Sequence, residues 1–317
     1  MNMLPVALNA VIPLFLLIFL GYFLTRIGFF SQDFLKIANK LCFRILMPVN
    51  MFWTMYNGRG MAREELSTVA FCIAGTMAVL LAAWVLVPVV CQDDRQRGVL
   101  IQDMFRGNFV IYGTSVCMRM FGEVSGTLVG LLTGVMIPVY NFCAGLVLSY
   151  YAKRNAGQKI SLIGSVISAG KNPMFWAPVL GMAAAALELP MPQALGTALQ
   201  DIGKTATPMA QLFMGGSFTF AYVGRYWKKL LAISAMRQLV IPGVMVALAV
   251  AMGFTGYQLG AIMCMFGAPV AVTTFAMTQQ IGGDADLAVS AIVTTTCFSC
   301  ISLCAFSVVL GSMGFLS

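Results

Sequence analysis

The sequence predicts an all-α polytopic membrane protein, with ten transmembrane helices arranged as two inverted five-helix repeats and breaks in helices 4 and 9 where they cross. Three observations carry that prediction. Of the 317 residues, 60% are apolar and only 9% are Asp, Glu, Lys or Arg, whereas a soluble domain carries about 25% charged residues. Too little charge is left to cover a water-facing surface. Apolar stretches of roughly 20 residues, the length that spans a bilayer, recur from end to end. Landmarks of the first half also return in the second at one fixed offset.

In chain order the spans fall at about 4–24, 34–56, 66–91, 98–121 and 125–151, then 172–189, 195–222, 228–252, 256–281 and 286–315. They divide the chain into a first repeat, 1–155, and a second, 156–317. No basic segment precedes Leu4 and no small-residue cleavage site follows the first span, so that span is expected to be kept. With the N-terminus outside, the inner loops hold Arg26, Lys36, Arg95, Arg97, Lys153, Arg154, Lys159, Lys171, Arg225, Lys228 and Lys229, and the outer loops only Arg59 and Arg63. Positively charged loops stay cytoplasmic, so both termini are expected outside. The net charge of +8 is then topological and does not call for nucleic acid. The chain has no histidine, which removes His-based acid–base catalysis and His metal ligation. All nine cysteines lie inside or at the ends of apolar stretches. Cys297, Cys300 and Cys304 share one helical face, and they read as small packing residues, with no metal or cofactor expected.

At an offset of 160, Pro13, Phe15, Leu20 and Gly21 match Pro173, Phe175, Leu180 and Gly181. The same offset pairs Arg44 with Lys204, Pro48 with Pro208, Thr114 with Thr274, and Gly122 with Gly282. Five spans per half is an odd number, so the halves insert in opposite orientation, an architecture of carriers with a midplane site. Span 4 runs Arg106-Gly107-Asn108 through Gly113-Thr114-Ser115, and span 9 runs Gly267-Ala268-Pro269 through Thr273-Thr274. Proline removes a backbone donor and glycine tolerates unwinding. Broken backbone at membrane depth is stable only beside protein or a wet cavity, and the half-helix N-termini it leaves are suited to an anion.

Asn108…Gly113…Phe121-Gly122 resembles the Asn-x-x-x-x-Gly-x-Pro…Phe/Tyr-Gly motif of the auxin efflux carrier family of membrane transporters. Ile12-Pro13…Leu20-Gly21-Tyr22, Leu46-Met47-Pro48…Phe52, Lys171-Asn172-Pro173…Gly181, Thr207-Pro208…Gly215 and Gly267-Ala268-Pro269 also resemble that family. One departure stands out: Ser115 occupies the place of the proline two residues after the span-4 glycine. Thr274 stands where the plant members carry a second span-9 proline. The short segment 152–171 is similar to that of bacterial members, which implies a bacterial inner membrane and periplasmic termini. The resemblance implies a fold shared with bile acid sodium symporters. Spans 1, 2, 6 and 7 would form a scaffold and homodimer domain, and spans 3–5 and 8–10 a transport domain. It implies small organic-anion substrates: auxin in plants, and carboxylates such as malonate or malate in bacterial relatives. Asn108, Gly113, Thr114, Ser115, Pro269, Thr273 and Thr274 are the substrate-binding candidates it implies.

Charges inside the bilayer are costly. Asp103 with Arg106, and Asp201 with Lys204, sit at i, i+3 and read as internal ion pairs. Arg44 and Arg237 have no partner in their own helix, so each attracts the substrate anion or pairs with a group on another span. Arg119, near the outer end of span 4, can snorkel to the interface, and attraction of the anion in the vestibule is its alternative role. Coupling to sodium, protons or a counter-anion is open, and a sodium-coupled organic-anion symporter of the same fold or a non-transporting receptor is the alternative. No nucleophile–base pair supports an enzyme.

Overall fold

A computed structural model describes residues 3–57, 65–157, 173–218 and 220–316. Arg59, Arg63, Lys159, Lys171 and Asn172 lie outside the described residues. The described chain consists of helices joined by turns and short loops, with one isolated antiparallel bridge, Gly107 to Val270. Among the described residues, four helical stretches are each long and apolar enough to cross a membrane: Leu66–Val90, Leu128–Asn155, Ala221–Ala251 and Ala285–Ser312.

Helix α1 (Met3–Arg26) is followed by α2 (Gln32–Leu41), whose N-cap Ser31 accepts the Phe34 amide at 3.1 Å. A π-turn at Cys42–Leu46 leads into α3 (Met47–Tyr56). The reason for the turn is Pro48, which lacks an N–H and whose ring crowds the carbonyl four residues back; one extra residue in the helix absorbs the mismatch. The same device recurs between α10 (Phe220–Ala235) and α11 (Ile241–Ala251), where the π-turn Met236–Val240 precedes Pro242 by two residues. A third π-turn, Phe109–Gly113, also ends two residues before a position that the family motif gives to proline, here Ser115.

The uninterrupted α4 (Leu66–Val90) precedes α5 (Asp94–Phe105), which is capped by the Asp93 carboxylate accepting Arg95 N at 2.9 Å. After the break come α6 (Thr114–Phe121), the long α7 (Gly126–Asn155), α8 (Pro173–Ala186) and α9 (Gln193–Ser217). Beyond α11, α12 (Gly256–Gly267) breaks and resumes as α13 (Thr273–Ile281), and α14 (Ala285–Ser312) closes the chain, capped by Asp284.

Glycines set two of the closest crossings. Gly21 of α1 lies against the Leu212 carbonyl of α9, and Gly181 of α8 against the Phe52 carbonyl of α3. Small residues let membrane helices approach to backbone contact. The two contacts are related by the offset of 160 with the roles exchanged, since Gly21 corresponds to Gly181 and Phe52 to Leu212. All nine cysteines are free, and six are buried among the packed helices.

Candidate functional site

Two helices stop in the interior and cross through short extended segments. The α5 helix ends at Phe105, and Arg106 turns to φ −97°, ψ 92°. In the partner strand-like segment, Ala268 at the end of α12 has φ −61°, ψ 143°. Asn108 N donates to the Pro269 carbonyl at 2.7 Å and Ala271 N to the Arg106 carbonyl at 3.3 Å, which makes the Gly107–Val270 bridge. Val270 N donates to Thr295 Oγ1 at 3.1 Å. The backbone groups freed by the breaks thus find partners within the protein, as burial demands.

Arg237 organises the crossing. It is fully buried on its π-turn, and its guanidinium donates to the carbonyls of Ala268 (Nε, 3.0 Å), Met104 (Nη1, 2.9 Å) and Met265 (Nη2, 3.4 Å). These carbonyls lie at the C-terminal ends of α5 and α12, where acceptors are left over and the helix dipole is negative. Position 107 must be glycine here: a Cβ would collide with the Arg237 guanidinium and stand 3.1 Å from the Met265 carbonyl oxygen. Of the two roles open to Arg237, the structure shows the pairing with carbonyls of other helices.

Beside the crossing lies a cavity of ≈ 80 Å³, room for a few waters at about 30 Å³ each. Its walls come from α3, α7, α9 and both breaks, and its polar lining includes Asn50, Arg106, Asn108, Asn141, Thr207 and Thr273. Met47 with Thr207, and Asn50 with Ala210, are pairs 160 residues apart, and all four line it. Arg106 donates to Asn141 Oδ1 at 2.5 Å and to the Met277 sulfur at 2.6 Å, while Asn141 Nδ2 donates to the Met174 carbonyl at 2.7 Å. Among the described residues no carboxylate lies within ion-pair distance of Arg106. The Asn108 side-chain amide is buried with no acceptor for its N–H₂ group. One cation, an unused amide donor and the first turn of α13 at Thr273 therefore converge on one small space, an arrangement fit for an anion.

The expected Asp103–Arg106 pair is not formed. Helical i, i+3 spacing no longer applies once α5 ends at Phe105, so the extended Arg106 turns toward α7 and α13, and neither Asp103 oxygen has a hydrogen-bond partner. Asp201 and Lys204 do approach, at 4.0 Å. Of the other sequence candidates, Pro269 supplies the bridging carbonyl, and Thr274 is buried behind the cavity with its hydroxyl unpartnered. Gly113 packs against the Phe109 ring and the Cys264 carbonyl, and Thr114 Oγ1 donates to the Val110 carbonyl at 2.7 Å. Of Ser115 only the backbone is described, in α6. Arg44 and Arg119 are exposed and away from the cavity. Sequence reasoning missed Arg106 as the cavity's cation, and with it Asn50, Asn141 and Thr207. The available signal was the rarity of amide side chains in apolar spans.

Broken helices crossing beside a polar, cation-bearing cavity, in a chain of apolar membrane-length helices, define a membrane transporter. The chain belongs to the membrane transport protein family, that of the auxin efflux carriers, whose family model matches residues 6–307. It is 24% identical over 219 residues to the uncharacterized transporter YfdV of Escherichia coli, covering 67% of this chain and 69% of that protein. It is 22% identical over 314 residues to an uncharacterized transporter of Methanothermobacter thermautotrophicus, covering 95% and 98%.

Proposed function

We propose that this transporter carries small organic anions, mono- or dicarboxylates, by alternating access around the cavity at the helix crossing. The observation that carries the reading is Arg106: a buried guanidinium that feels the Asp103 carboxylate through space but has no carboxylate at ion-pair distance, facing a small cavity beside the unused Asn108 amide. A bound carboxylate would bring an anion into contact with the guanidinium and supply the missing acceptor for the amide together.

The proposed architecture is ten spans in two inverted repeats. The exchange of contacts between Gly21–Leu212 and Gly181–Phe52, and the cavity lined by residues 160 apart, support it. A transport bundle built on spans 3–5 and 8–10 would slide, elevator-like, against a scaffold of spans 1, 2, 6 and 7, and the cavity draws its walls from both groups. The scaffold would pair two copies of the chain. Asp201 and Lys204 sit within α9 with side chains 68% and 66% exposed, an arrangement too costly to leave against lipid. A bacterial inner membrane with periplasmic termini completes the reading.

The test is uptake of labelled malonate, malate and an aromatic monocarboxylate into proteoliposomes, with and without sodium and pH gradients. Saturable uptake of one of them by the wild type, lost in Arg106→Gln at equal expression and unchanged elution volume, is the expected result. Undiminished uptake by Arg106→Gln would remove the arginine from the site, and absence of any uptake by folded wild type would sink the carboxylate assignment.

A further inference from the structure

A second hollow, of ≈ 450 Å³, lies where α10 begins, lined by Gln96, Arg225, Tyr226, Trp227, Lys228 and Lys229. Half of its wall is cationic and none of it is acidic. Two basic residues nearby, Arg97 on α5 and Arg154 on α7, are matched: Asp94 takes them at 2.7 Å and 3.1 Å. Arg225, Lys228 and Lys229 belong to no ion pair among the described residues. The acceptor that Lys229 does have is neutral, Gln96 Oε1. Gln96 Nε2 in turn donates to Asp284 at 2.9 Å, and the Tyr226 hydroxyl donates to the same carboxylate at 2.9 Å. Asp284 thus takes neutral donors, and Asp286 feels Arg225 through space without a contact pair, so none of the three cations has a carboxylate at ion-pair distance.

The hollow is continuous with an apolar surface. Trp227 at its rim is exposed, and Leu231, Leu239, Val244 and Leu248 follow it down the outer face of α10 and α11, also exposed. Their spacing is about one turn, or two between Leu231 and Leu239, with the π-turn Met236–Val240 taking up the extra residue. Tryptophan favours the headgroup level of a bilayer, and a basic pocket between membrane helices is a known form of anionic headgroup recognition.

We propose that this hollow binds the phosphodiester headgroup of an anionic phospholipid, with the acyl chains lying along the stripe below Trp227. A soluble phosphate would satisfy the cations but leave the stripe without a role. Through the Lys229–Gln96 contact such a lipid would tie α10 to the start of α5, the helix whose far end forms the crossing. The site is independent of the identity of the transported solute.

The experiment is thermal unfolding and native mass spectrometry of the full chain in neutral detergent, titrated with phosphatidylglycerol, phosphatidylcholine, glycerophosphoglycerol or inorganic phosphate. Phosphatidylglycerol is expected to stabilise the wild type and remain bound on ionisation, and phosphatidylcholine to do neither. Each of Arg225→Gln, Lys228→Gln and Lys229→Gln should weaken it roughly fivefold, and the triple variant should show no preference for the anionic lipid. A control removing Arg26, Lys36 and Lys40 in the same way should bind as the wild type. Equal retention by the triple variant, or an equal loss in the control, would overturn the site. Stabilisation by glycerophosphoglycerol or phosphate matching that by the lipid would overturn the lipid as its occupant.

Discussion

Replacing Arg237 by methionine keeps a long unbranched side chain and removes the group that joins the two broken helices. Three donated hydrogen bonds disappear, at 2.9, 3.0 and 3.4 Å, and the longest contributes little at that distance. A hydrogen bond from a charged donor is worth about 1.5–3 kcal/mol net, so the two shorter ones give a loss of about 3–6 kcal/mol. Removing the buried charge returns part of its desolvation cost, which puts the expectation at about 2–4 kcal/mol. At roughly 2 °C per kcal/mol for a large chain, the midpoint in detergent should fall by about 4–8 °C. Arg237→Lys keeps the charge, but a point-like ammonium cannot span carbonyls on two helices as the guanidinium fork does, so its midpoint should fall between the two. Arg106→Gln should shift the midpoint far less while abolishing uptake. An unchanged midpoint in Arg237→Met, with uptake intact, would refute the reasoning that this arginine holds the crossing together.

Gly107→Ala should lower stability by about 1–3 kcal/mol, because its methyl group would displace the Arg237 guanidinium; thermal unfolding reads this, and the same substitution should cost less in an Arg237→Met background, where only the tight contact with the Met265 carbonyl remains. Ser115→Pro should cost under about 1 kcal/mol, against about 3 kcal/mol or more for proline in an unbroken helix, since the π-turn Phe109–Gly113 already stands two residues before it; the same melt checks it. Asp201→Lys would place like charges together on the face proposed to pair two copies, and light scattering in detergent should show a monomer where the wild type is a dimer.

Much of the fold was legible because the signals are local and cumulative. Composition and apolar run length need no tertiary information, and the offset that aligned Gly21 with Gly181 reappears as an exchange of physical contacts. The break in span 4 was legible only to within a few residues. Gly113 looks like a point of unwinding, yet it stays helical because its missing side chain admits the Phe109 ring and the Cys264 carbonyl. The extended stretch is confined to residues around Gly107, where the demand for glycine comes from Arg237, some 130 positions away in the chain. No reading of span 4 alone contains that neighbour. The same limit hid Asn50, Asn141 and Thr207, which become polar lining only when three other helices bring them to one cavity.

The two buried arginines show why residue type and depth do not assign a role. Both are buried cations among apolar helices, and from the sequence Arg237 was the better candidate for an anion, because Arg106 had an acid three residues away. What decides is the direction of the broken helices at each guanidinium. Arg237 meets C-terminal ends, whose carbonyls are acceptors carrying partial negative charge, and its guanidinium donates to three of them. Arg106 stands on the other side of the same breaks, beside the donors of Asn108 and the first turn of α13, and the acceptors its side chain takes among the described residues are Asn141 and a sulfur. The cation left without a contacting carboxylate is therefore the one that the local spacing rule had paired off, and the end of α5 at Phe105 is the physical reason.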